Sequence, residues 1–169
     1  MEPEQKTSII HKHLPTLEKL FLLSLAVGLT LNFLNMDLPQ ITLISLTGLG
    51  VVFFMNTYRS LDIPGPEEGK LYGFQELLSY TIIPKVLWIS TSILTVGILF
   101  YMMNTGNNGY LSMIGIGSTT VIIGTVFLIG SMVMGTKHLN LVIPVLYRST
   151  PALVVGIYIY LQSNPELLG

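Results

Sequence analysis

The sequence predicts an all-α integral membrane protein of five transmembrane helices, built as two tandem related hairpins plus a kinked fifth helix. Three observations predict it. Only 10% of the 169 residues are charged and 50% are hydrophobic, whereas soluble domains carry about 25% charged residues. Five segments, at about 19–34, 41–57, 85–103, 110–135 and 139–161, approach or exceed the roughly 20 apolar residues that a membrane crossing needs. All eight Lys and Arg residues then fall on one side of those crossings.

Residues 1–18 are polar and charged and read as a cytoplasmic N-terminal segment. The apolar run that follows is too long for a signal-peptide core and has no small-residue cleavage site after it, so it is expected to be a retained helix. Residues 19–57 form the first hairpin, turning around Asp37-Leu38-Pro39. Residues 85–135 form the second, turning through Asn104-Thr105-Gly106-Asn107-Asn108-Gly109, whose residue types tolerate positive φ. Between the hairpins, 58–84 is a cytoplasmic loop with a turn-rich, acidic first half. In its second half Leu71, Phe74 and Leu78 recur at helical spacing. That spacing suits a short amphipathic helix lying in the membrane interface, and equally an extension of the third span interrupted at Pro84. The fifth span, 139–161, carries Pro144 and Pro151, which predict a kink. Residues 162–169 are an outer tail.

Orientation follows from the basic residues. Lys6, Lys12 and Lys19 precede or open the first span; Arg59, Lys70 and Lys85 lie between the second and third; Lys137 and Arg148 lie before or early in the fifth. The positive-inside rule therefore predicts a cytoplasmic N-terminus and an outer C-terminus. A shift of 69 residues superposes the hairpins, pairing Leu25 with Leu94, Val27 with Val96, Gly28 with Gly97, Asn35 with Asn104, Gly48 with Gly117 and Val52 with Val121. A duplication of this kind gives both hairpins the same orientation, with the fifth helix unpaired.

The residues offer little chemistry. Cysteine is absent, which removes disulfides, thiolate metal sites and iron–sulfur clusters. His11-x-His13 reads as two solvated tail histidines rather than a metal pair. The five expected spans contain no acidic residue, and no nucleophile elbow, zinc-protease helix or phosphate loop is present. The chain is expected to be non-enzymatic, with no catalytic, metal or cofactor site. A net charge of −1 argues against nucleic acid. Arg148 is the one intramembrane charge. It either snorkels to the headgroups or pairs with an anionic lipid or a carboxylate, Glu76 or Asp62 being available in the loop. In "IGIGSTTVIIG", residues 114–124, and just beyond it, Gly117, Gly124 and Ser131 recur every seven residues. Such a stripe is a helix-packing interface where another backbone can come close.

Gly97-Ile98-Leu99-Phe100, a short Asn/Gly turn, and then Met113-Ile114-Gly115-Ile116-Gly117-Ser118 resemble the transmembrane hairpin of the GldL-type stator of the gliding-motility and type 9 secretion motor of Bacteroidota. The first hairpin, Gly28 to Gly48, looks like a more decayed version that keeps Pro39 in its turn. The resemblance covers about 70 residues and implies a bacterial inner-membrane location and a role beside other membrane subunits. In that family an acidic residue follows the Ile-Gly-x-Gly entry. Ser118 and Thr119 stand there in this chain, which implies a stator-like scaffold without a proton switch.

The expected function is a non-enzymatic structural or accessory subunit of an inner-membrane complex, meeting the bilayer and other membrane proteins, or itself, through small-residue helix faces. The alternative is a carrier of a neutral or weakly polar solute, lined by the Ser and Thr residues of the third and fourth spans. A carrier should expose a polar cavity. A scaffold should bury those hydroxyls and leave its glycine stripe or an apolar groove to a partner.

Overall fold

The computed structural model describes residues 4–36, 38–59, 73–105, 108–133 and 142–168. They are helical, with no strand among them: α1 (Glu4–Phe33), α2 (Pro39–Asn56), α3 (Phe74–Leu77), α4 (Ile83–Met102), α5 (Gly109–Val133) and α6 (Ile143–Ser163), closed by a 3₁₀ turn at Pro165–Leu168. Five stretches are long and apolar enough to cross a membrane: His13–Phe33, Pro39–Asn56, Leu78–Met102, Gly109–Val133 and Ile143–Ser163.

The first boundary differs from the expectation. Polar and charged residues suggested a segment ending at 18, yet α1 runs without a break from Glu4 through Pro15 to Phe33. Its buried face follows helical spacing through Leu14, Glu18 and Gly28, with Phe21 and Leu25 partly buried between them. A carboxylate thereby lies within the stretch His13–Phe33 that is long and apolar enough to cross a membrane, where the sequence reading placed none. The loop differs too. Its described part, from Gly73, enters α3, passes through a π-helical turn at Leu78–Ile82 and continues directly into α4. The N–H of Gly73 donates to the Glu76 carboxylate at 3.1 Å, which caps the start. Phe74 and Leu77 remain exposed while the π turn buries Ser79 and Tyr80; the helical run continues to Met102, and its stretch apolar enough to cross a membrane begins at Leu78. Asp62 and residues 134–141 lie outside the described residues. In α6, Pro144 occupies the first turn, where its missing N–H has no intrahelical partner to lose, and Pro151 lies inside the helix.

α4 is the hub: it packs on α2, α5 and α6, while α1 packs on α2 and α5 on α6. One apolar cluster, built around Phe53, Leu87, Trp88 and Val121, fills one half of the bundle, and a second, built around Leu46, Leu94, Ile98 and Ile114, fills the other. Hydroxyls join helices across these layers. Ser92 donates to the carbonyl of Gly50 at 2.7 Å, and the Ser24 and Ser45 hydroxyls lie 2.8 Å apart.

The two hairpins correspond in detail at the 69-residue shift. α1 ends at Phe33 and α4 at Met102. Leu34 N–H donates to Thr30 and Asn35 N–H to Asn32; Met103 N–H donates to Leu99 and Asn104 N–H to Tyr101, each bond the counterpart of the other. Asn35 (φ 57°) and Asn104 (φ 48°) are the described non-glycine residues at positive φ, where Asn is tolerated better than most side chains. Gly48 seats against Phe21 and Gly117 against Ser90 and Leu94, and Phe21 and Ser90 are themselves counterparts. Glu18 corresponds to Leu87, the clearest divergence between the halves.

Candidate functional site

The charged group buried in the bundle sits where four helices meet. Glu18 projects from the inward face of α1, and its Oε1 accepts a bond from Arg148 Nε of α6 at 2.9 Å. The Glu18 side chain is 6% exposed and that of Arg148 36%. The guanidinium carbon lies 5.8 Å from the ring centroid of Trp88 on α4, within cation–π range. Trp88 in turn stacks on Phe53 of α2, with centroids 5.7 Å apart and planes at 27°. One continuous set of contacts thus links α1, α6, α4 and α2 at one level. Arg59 and Lys19 add positive charge near enough to act on Glu18.

Among the described residues, the partner of Arg148 is therefore Glu18 of α1. Glu76 is committed to capping α3 at Gly73. Arg148 also lies closer to its helix start than a span beginning at 139 implied. Counted from Ile143, it sits about 7 Å along the axis, so its long stem and its ion pair share one end of the bundle.

Above this pair, an apolar groove of about 330 Å³ runs between α1 and α6. Its floor is Leu46, Leu49 and Phe53 of α2 with Ile98 and Thr95 of α4, all buried. Its rim is Leu22 and Leu29 on one side and Tyr147 and Val155 on the other, all exposed. The groove therefore opens sideways from the bundle. Its hydroxyls are engaged: Thr95 donates to the Thr91 carbonyl at 2.8 Å, and Thr42 Oγ1 lies 3.5 Å from Asn32 Nδ2. What remains is an apolar channel with charge at one end.

The small-residue stripe has a different occupant from the one expected. A Cβ on Gly117 would lie 2.9 Å from Leu94 Cβ and 3.1 Å from the Ser90 carbonyl, and one on Gly124 2.9 Å from Leu87 Cδ2. Ser131 pairs its hydroxyl with that of Ser79 in the π turn at 3.1 Å. All three residues face α4 and its approach in the same chain, so this face is closed to a second protein. Of the hydroxyls on α4 and α5, those of Ser90, Thr91, Thr95, Thr120 and Thr125 bond to carbonyls one turn back. Ser118 is buried against Gly156 with no partner for its Oγ. It lines a wider trough of about 720 Å³ between α5 and α6, together with Ser112, Thr119, Tyr160 and Asn164. No group of three potential metal ligands occurs among the described residues.

The first apolar segment read from the sequence begins at 19 and so leaves out Glu18, which the stretch His13–Phe33 includes. The signal was present in the spacing of Leu14, Glu18, Phe21 and Leu25 on one helical face. Comparison with protein-family models, with curated proteins and with solved structures finds no match to this chain.

Proposed function

We propose that this chain is a non-enzymatic structural or accessory subunit of a bacterial inner-membrane complex, with its N-terminus in the cytoplasm and its C-terminus outside. The observation that carries this reading is the closure of five α4 and α5 hydroxyls, those of Ser90, Thr91, Thr95, Thr120 and Thr125, on their own helices, together with an apolar groove left open at the side. A solute path would need those donors and acceptors free. A scaffold spends them on internal order and presents apolar surface to its surroundings. The similarity of the second hairpin to the GldL-type stator supports the same reading. The glycine stripe is used within the chain, so contact with another subunit falls to other faces.

A carrier is the second reading, and the trough holding Ser118, Thr119 and Asn164 favours it. Native mass spectrometry separates the two. The protein would be extracted gently from its own membrane at natural abundance. A discrete hetero- or homo-oligomeric mass is expected for a subunit. A monomer of 18.6 kDa that loses a small polar ligand when Ser118 is replaced by Leu would establish the carrier instead.

A further inference from the structure

We infer that the groove between α1 and α6 is a binding site for one acyl chain of an anionic membrane phospholipid, whose headgroup is held at the end occupied by Arg148. This rests on the membrane location proposed above and goes beyond the subunit role.

Three observations select the occupant. The floor is apolar and its two threonines are buried, so it offers a polar solute almost nothing to bond to. An acyl chain asks for no such bond. The groove also has the length of a chain: from Glu18 to Leu29 along α1 is about 16 Å, close to half of the ~30 Å hydrocarbon core. The rim residues Leu22, Leu29, Tyr147 and Val155 are exposed along its side, so a lipid already in the bilayer can enter laterally.

Charge selects the headgroup. Arg148 is in contact with the one carboxylate, and the charges of Arg59 and Lys19 also act on it, so basic groups outnumber acidic ones among the described residues around the pair. Arg148 gives Glu18 a single Nε bond, and a guanidinium has five N–H donors. With its side chain 36% exposed, it has donors to spare for a phosphate, while its guanidinium carbon stays 5.8 Å from the Trp88 ring centroid. Glu18 fixes the arginine in place beside the groove and keeps it from extending freely to bulk headgroups.

The test is native mass spectrometry of the protein released from nanodiscs containing equal parts phosphatidylglycerol and phosphatidylcholine. One retained phosphatidylglycerol is expected, enriched over phosphatidylcholine by about fivefold or more, the effect of one basic residue near a headgroup. Arg148→Gln should bring that enrichment close to the ratio in the disc. Ala152→Phe, which fills the groove, should abolish retention of both lipids. Should Ala152→Phe fail to fold, wild-type protein labelled by phosphatidylglycerol with a diazirine near the chain terminus decides the matter. Adducts on α1, α2 and α6 residues of the groove support the site, and adducts spread over the outer face of α5 overturn it. Equal retention of both lipids, or a retained free fatty acid or polypeptide, also overturns it. Failure of the protein to enter nanodiscs at all would instead remove the membrane reading on which the site depends.

Discussion

Glu18 and Arg148 are unequal partners, and the inequality predicts how each responds to loss of the other. The carboxylate is 6% exposed and cannot reach water; the guanidinium is 36% exposed on a long stem and can. Arg148→Ala strands a buried charge and should cost about 3 kcal/mol. Glu18→Ala releases an arginine that can move toward the headgroups, so its cost should be smaller, about 1–2 kcal/mol. The double change Glu18→Leu with Arg148→Met should recover most of the loss, because apolar residues of similar size replace a buried ion pair with little penalty. Trp88 is the only tryptophan in the chain and lies against Arg148, so its fluorescence during detergent-induced unfolding reports all three variants. A double variant no more stable than Arg148→Ala would mean that the pair is held for something other than mutual neutralisation.

The α4–α5 hairpin depends on how closely two backbones approach, and the glycines of α5 grade that approach. At Gly117 an added methyl group meets the Ser90 carbonyl and Leu94 Cβ, which are fixed to backbone. At Gly124 it meets the far end of the Leu87 side chain, which can rotate, and at Gly130 it meets nothing within 4 Å. Alanine should therefore cost about 1–3 kcal/mol at 117 and less at 124. At 130 it should be neutral or stabilising by up to about 1 kcal/mol. Equal effects at the three positions, measured by unfolding in mixed micelles, would show that α5 does not sit on α4 through this face. The seven-residue recurrence of Gly117, Gly124 and Ser131 was legible in sequence, as was its meaning as a packing face. The identity of its partner was not, because periodicity marks a face without saying what covers it. Glu18 escaped for a related reason: hydropathy places a boundary where charge begins, whereas α1 continues because Leu14 and Glu18 share the buried stripe with Phe21 and Leu25. The π turn left no sequence signal, since an extra residue in one helical turn needs no distinctive side chain.

At the scale of the whole molecule, the matching turns of the two hairpins and the charge distribution make one connected prediction. Glu18 of α1 and Trp88 of α4 both meet Arg148, and each helix runs on from that level to its turn, so both turns lie at the same end of the bundle. The starts of α4 and α6, with Arg59, Lys85 and Arg148, lie at the other end with His13 and Lys19. That clustering predicts a cytoplasmic location for the second end. The natural chain has no cysteine, so single cysteines report position without background. With a membrane-impermeant maleimide on intact cells, Ser163→Cys should be labelled, and His13→Cys only after the membrane is opened. Labelling of His13→Cys in intact cells would invert the topology. The groove would survive that result, since its walls and its ion pair depend on packing alone, but its charged end would then face the outer leaflet. The two experiments are therefore linked. The lipid measurement establishes whether the groove holds a chain, and the labelling establishes from which leaflet that chain enters.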